Sequence, residues 1–168
     1  VLHRSSDAAS RDKHLQLANM SLERRSTRGE RIDYRISRAE VDAFVELGAG
    51  EIVQAVRDGE VFSSMLVARS RTGGYAQSSG TSDPGRAIGS SHFLFHETAC
   101  LLKSEGAEVF NLGGADEQSV GLQEFKLGLG SVRIDLQSAE FYTGSRLKRF
   151  ATRAAALLKS WPTLPIGT

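Results

Sequence analysis

The sequence predicts a mixed α/β fold in which an antiparallel meander is joined to a strand–helix–strand crossover. Two observations carry this reading. Two strand-like runs, 51–57 and 60–69, flank Asp58-Gly59, a strong two-residue signal for a tight hairpin. Further on, a strand-like run at 75–82 precedes a long helix-like stretch at 87–105 and then the apolar run 107–112. A strand, a helix and a neighbouring parallel strand make a right-handed crossover unit. Joined to an antiparallel half, it gives a mixed sheet.

The elements follow in order. Residues 1–12 are polar and are expected to be loose. Residues 13–25 place Leu15, Leu17, Ala18 and Leu22 in a rough apolar stripe, which predicts a helix. Ser37 with Glu40 three residues on spells a capping box, so a second helix should run to Leu47 and end near Gly48 and Gly50. The hairpin strands come next, then 75–82, stopped by Asp83-Pro84-Gly85. The helix at 87–105 should end at Gly106, and 107–112 reads as a buried strand. A short helix is expected at 119–127 and a long strand at 131–143. A basic amphipathic helix is expected at 145–161, stopped by Pro162.

A chain of 168 residues with 40% hydrophobic content suits one domain with a real core and is not a disordered composition. No run of about 18 apolar residues exists, so no membrane-spanning helix is expected. No signal peptide is visible, and the missing initiator Met suggests a processed or truncated chain. The single cysteine, Cys100, rules out an internal disulfide and fits a reducing, cytoplasmic setting. The net charge of +1 hides an acidic middle between basic ends. Such ends are either solvated helix faces or an attraction for a phosphate-bearing substrate or RNA.

Few residues offer themselves for chemistry. There is no Ser-His-Asp order, phosphate-binding Walker loop or paired-cysteine motif, so covalent catalysis has no support. His92, His96 and Cys100 recur every four residues on one helix, but no second ligand cluster accompanies them and no metal is expected. Phe93 and Cys100 point away from the predicted core face. Asn111-Leu-Gly-Gly ends a strand where a ligand or another backbone must come close, and such strand ends face a crevice. Lys126 on the next helix would point a cation there; the alternative is that Phe125 is core and Lys126 is solvated.

Two resemblances sharpen this. The turn Arg86-x-x-Gly89-x-Ser91 resembles the loop that grips the coenzyme A pyrophosphate in GNAT (GCN5-related) N-acyltransferases, with Ser91 where a Gly or Ala is usual. Free N–H groups and the helix dipole favour an anion at such a helix start, although a Ser-capped helix after a Pro-Gly turn explains the same residues. The stretches YAQSSGTS, EVFNLGG, GLQEFKLGLGS and VRIDLQSAEFY, across about residues 50–145, resemble the C-terminal GNAT domain of Fem-type (FemAB-like) aminoacyl transferases. Three departures are Asn111 for the usual Asp, Leu129 for an aromatic, and one copy of the domain instead of two, which is closer to BioF2-like acetyltransferases.

The resemblance implies a GNAT-like domain at 37–145 between an N-terminal helical segment, 1–36, and a basic tail, 146–168. It implies transfer of an acyl or aminoacyl group from acyl-CoA (acetyl-CoA) or aminoacyl-tRNA to a primary amine, a small molecule or a cell-wall precursor. A second GNAT domain or a homodimer would be the partner, with tRNA another. Lys126 would stabilise charge, and Tyr142 or Tyr75 would protonate the leaving group. Arg86, Gly89, Ser90 and Ser91 would hold the donor. Asn111, Gly113, Gly114 and Phe125 would border the substrate, with Glu124 and Asp116 as nearby bases. The competing reading is a catalytically inactive GNAT-fold binding module.

Overall fold

Asp58 and Gly59 both adopt left-handed backbone angles, φ 53° and 78°, as a tight hairpin between twisted strands requires. They join β2 (Gly50–Arg57) to β3 (Glu60–Arg69). The computed structural model describes residues 1–30, 32, 34–115 and 119–136. Around this hairpin lie β1 (Leu2–Ser5), β4 (Gly73–Thr81) and β5 (Val109–Asn111) in the order β1-β2-β3-β4-β5. The first four strands are antiparallel neighbours, and β5 lies parallel to β4. The crossover from β4 to β5 runs through α3 (Asp83–Ala87) and α4 (Ser90–Ser104). The predicted mixed sheet and its parallel closing pair are therefore present.

The sheet is covered on both faces. α1 (Ala8–Thr27) and α2 (Arg38–Glu46) bring Ala18 and Val41 against Ile52 and Leu66. On the other face α4 packs Leu94, Phe95 and Leu102 on Val53, Met65 and Val67. α5 (Val120–Gly128) adds Phe125 to that layer. Ser37 caps α2 with the full capping box, its hydroxyl accepting from the Glu40 N–H while the Glu40 carboxylate accepts from the Ser37 N–H.

Several expectations are corrected. Residues 2–5 are not loose: they form an edge strand, Leu2 facing Ala55 and Ser5 facing Ile52. The polar run LHRS carries no alternation, and its conformation is supplied by β2. α1 begins at Ala8, because Asp7 accepts the Ser10 N–H at 2.7 Å and starts the helix early. The helix expected over 87–105 is α4, starting a little later because Gly89, at φ 69°, breaks the chain before it, and the Asp83-Pro84-Gly85 stop is itself a short helix, α3, capped by Ser82. β5 is shorter than 107–112 and lies at the edge of the described sheet, with Val109 62% exposed. Residues 131–136 carry no strand; 137–143 and the basic helix at 145–161 lie outside the described residues.

One irregularity shapes β4. Leu66 faces Ser78 and Val67 faces Ala76, so Gln77 is an extra residue, a bulge. Its effect is visible in two glycines six residues apart. A Cβ on Gly74 would lie 2.7 Å from Leu102 on the α4 face, whereas one on Gly80 would lie 2.1 Å from the Leu17 backbone in α1. In an unbroken strand both would face the same way, since side chains alternate with period two. The bulge exchanges the faces.

Candidate acyl-transfer cleft

β4 and β5 pair only from Gly73–Val109 to Tyr75–Asn111. Beyond that β4 runs on to Thr81, while the other chain turns off at Leu112, and a wedge opens between them. Crevices at the carboxyl ends of neighbouring strands are where open α/β sheets bind ligands.

The β4 side of this wedge is a row of peptide groups. Ser82 donates its N–H to the Phe62 carbonyl at 2.9 Å, which fixes the phase of the ladder. Alternation then turns the peptide groups of Ser79 and Thr81 away from β3. Thr81 is occupied by α1: its N–H donates to Ser21 Oγ at 3.1 Å, and its carbonyl accepts from Arg24 at 2.5 Å. The Ser79 N–H and carbonyl face the wedge.

The β5 side is a glycine turn held from two directions. Asn111 Oδ1 accepts the Gly113 N–H at 2.8 Å, which folds the chain back at Gly113, φ 79°. The Tyr75 hydroxyl stands above it; a Cβ on Gly113 would be 3.6 Å from the Tyr75 oxygen. From α5, Lys126 Nζ donates to the Gly113 carbonyl at 2.8 Å and the Gly114 carbonyl at 2.6 Å. Burial lowers the pKa of this ammonium from its ordinary value. Three donors on Nζ less two carbonyl bonds leave one for another acceptor.

The structure thus gathers Tyr75, Asn111, Gly113, Gly114 and Lys126 at one strand end. Phe125 turns inward instead, edge-on to Phe95 at 5.3 Å and to His92 at 4.8 Å, and fixes α5 on α4. Glu124 is exposed on α5, while Tyr142 and Asp116 lie outside the described residues.

The anion loop is reshaped. Arg86 is exposed on α3, 3.9 Å from Asp83. The Gly89 N–H was expected to be free but donates to the Arg86 carbonyl at 3.2 Å, because Gly89 closes α3 before it opens α4. The Ser90 hydroxyl is buried 2.5 Å from Ser63 Oγ, so only its main chain can serve a ligand. No side chain caps α4, which leaves the Ser90–Ser91 amides as the open helix start. An apolar hollow of about 260 Å³ between Phe62, Ile88 and Phe93 lies beside this loop, and none of the Lys126 group lines it. His96 contacts Glu97 at 3.2 Å and Cys100 at 4.0 Å; among the described residues no three metal-ligating side chains gather. None of the described helices is long and apolar enough to cross a membrane.

The profile of the acetyltransferase (GNAT) domain family matches residues 1–127. This chain belongs to the GNAT acetyltransferase family. Solved GNAT-fold neighbours agree with the architecture. A possible acetyltransferase from Clostridium difficile 630 superposes with TM-score 0.67 at 13% identity, over 86% of this chain and 98% of that one. An aminoglycoside acetyltransferase from an uncultured soil metagenomic sample, in complex with sisomicin, gives 0.64 at 12% identity over 86% and 96%. An aminoglycoside 6'-N-acetyltransferase from Acinetobacter haemolyticus gives 0.59 at 13% identity over 86% and 98%. None of the curated protein sequences matches this chain significantly. GNAT acetyltransferases use acetyl-CoA, and the open Ser79 edge and uncapped α4 start suit an extended, phosphate-bearing donor. Sequence reasoning missed the Ser79 edge, since ladder phase is set by pairing and not by residue type.

Proposed function

We propose that this GNAT domain transfers an acyl group, acetyl foremost, from acyl-CoA to a primary amine of a small molecule. The observation that carries the reading is the wedge between β4 and β5. It has an unpaired Ser79 peptide on one wall, Lys126 on the other, and the open α4 start beside it. The donor would lie along β4 with its pyrophosphate at Ser90–Ser91, held electrostatically by Arg86. The amine attacks the thioester carbonyl, a C–N bond forms and the C–S bond breaks. The amine's proton leaves to water or a base, and the thiolate takes one from the Tyr75 hydroxyl. Charge on the carbonyl oxygen meets the Ser79 N–H and the remaining Lys126 donor.

The Fem-type resemblance keeps an aminoacyl donor and a cell-wall amine within this reading, with a second GNAT domain completing the cleft. Asn111 in place of the usual Asp favours an inactive binding module as the alternative. Thermal shift with coenzyme A, followed by thiol release from acetyl-CoA across a panel of amines, separates the two. Ligand at 100 times its Kd should stabilise by about 2.7 kcal/mol. Binding without turnover favours the module, and no binding removes the acyl-CoA reading.

A further inference from the structure

One buried titratable side chain has no part in the chemistry above. His14, on α1, is fully buried, with 0% exposure. Its Nδ1 lies 3.1 Å from Ser64 Oγ on β3, and its Nε2 lies 2.8 Å from Ser78 Oγ on β4. The two serines are not opposite one another: Ser64 faces Gly80 and Ser78 faces Leu66. The imidazole therefore spans a diagonal of the ladder.

That diagonal sits where β4 is irregular. Ser78 is the first residue after the bulge at Gln77, and the residue after it is Ser79. Sliding the bulge along the strand would invert the side chains it passes, since a one-residue slip turns each to the opposite face. Carried on to Ser79, the bulge would take Ser78 off the α1 face and turn the Ser79 peptide from the wedge towards β3. Gly80 blocks a slip past itself because α1 leaves no room for a side chain there. Ser78 and Ser79 are small and polar and do not of themselves block a slip, while Gln77 is tied by a side-chain hydrogen bond to Tyr34.

We propose that His14 is a positioning residue for the donor edge: by bridging Ser64 to Ser78 it fixes where β4 bulges and so aims the Ser79 peptide into the wedge. This rests on the wedge being the donor site. A neutral imidazole donates at one nitrogen and accepts at the other, so two hydroxyls satisfy it completely. The alternative, His14 as a base drawing a proton through Ser78, fails on energetics. Both ring nitrogens meet hydroxyls and neither meets a carboxylate, so an imidazolium here would be a buried charge with no counter-ion. Burial pushes its pKa down to about 4, which keeps it neutral at working pH.

The test compares the parent protein with His14→Leu and with the milder Ser78→Ala, each labelled for NMR and titrated with coenzyme A. Cross-strand contacts Leu66–Ser78 and Val67–Ala76 should weaken or shift in both variants. Exchange of the Ser78 and Gly80 amides should quicken by about tenfold or more while the β2–β3 hairpin stays protected. Coenzyme A should bind at least about tenfold more weakly. Parent-like contacts and exchange in Ser78→Ala would overturn the bridge whether or not His14→Leu folds. A shifted bulge with coenzyme A affinity within about twofold of the parent would overturn its role in positioning the donor. Should the parent bind no coenzyme A, the donor reading and the positioning role built on it both fall, while the NMR contacts still decide the bridge.

Discussion

Lys126 Nζ lies 2.6 Å from the carbonyl oxygen of Gly114, at the end of the strand that a crossover helix brings beside β4. With the second bond to Gly113, this ammonium both holds the turn and leaves one donor for the cleft. Lys126→Met should therefore do two separable things. The turn carbonyls are partly solvated and can turn to water, so stability should fall by only about 1 kcal/mol. If the third donor meets developing charge, turnover should fall by about 100-fold. Denaturation curves and acetyl-CoA turnover read the two effects. A stable, fully active variant would leave Lys126 as a latch and nothing more.

Much of this arrangement is legible in the sequence. Asp58-Gly59 needs two left-handed residues, and that local demand alone places the hairpin. The Ser37–Glu40 box is equally local. The lysine's address follows from glycines at a strand end next to a short helix. What escapes is whatever pairing decides. LHRS becomes a strand because β2 offers an edge. Gln77 is a bulge only in relation to Val67 and Leu66. His14 reads as one polar residue on a helix until the sheet brings Ser64 and Ser78 to its two nitrogens. Gly89 reads as part of an anion loop, and it also has to end α3.

The buried imidazole makes stability depend on pH. His14 has a folded pKa of about 4 against an ordinary value of 6.5. The unfolded chain thus binds more protons between those values, and stability rises with pH there. Sign and window follow: the contribution is full above about 6.5 and is lost as pH falls towards 4. Between pH 7 and pH 5 the loss should be about 2 kcal/mol. Asp42, Glu40 and Glu105, lowered by their hydrogen bonds, lose their stabilisation at lower pH, so this window isolates the histidine. Urea midpoints at the two pH values check it. A flat profile in the parent, or an equal slope in a folded His14→Leu variant, would assign the effect elsewhere.

Close approach of α1 to β4 gives a sharper test of packing. A Cβ on Gly80 would lie 2.1 Å from the Leu17 carbonyl carbon and 2.3 Å from the Ala18 nitrogen, both backbone atoms that cannot swing aside. Gly80→Ala should lift α1 and cost about 3 kcal/mol, the upper end of overpacking penalties. Gly121→Ala is the control: it lies in α5, where nothing comes within 4 Å of an added Cβ. It should stabilise by about 0.5–1 kcal/mol through helix propensity. Equal melting temperatures for the two variants would mean that the helix is not seated as closely as described.

Arg86 separates donor binding from folding. Its side chain is 53% exposed, and its acidic partner, Asp83, is 3.9 Å away and more exposed still. Exposed pairs of this kind contribute little to stability, so Arg86→Ala should leave the melting temperature nearly unchanged. The same exposure makes it available to a pyrophosphate seated on the Ser90–Ser91 amides. Losing one charge-assisted bond of about 1.5–3 kcal/mol should weaken coenzyme A binding by roughly tenfold to a hundredfold. The loss should shrink as salt rises, since an exposed guanidinium is screened. Desphospho analogues sharpen the reading: if Arg86 meets the pyrophosphate, the variant and the parent should bind pantetheine equally. Unchanged coenzyme A affinity at low salt would place the phosphates elsewhere and leave the open start of α4 without the ligand assigned to it.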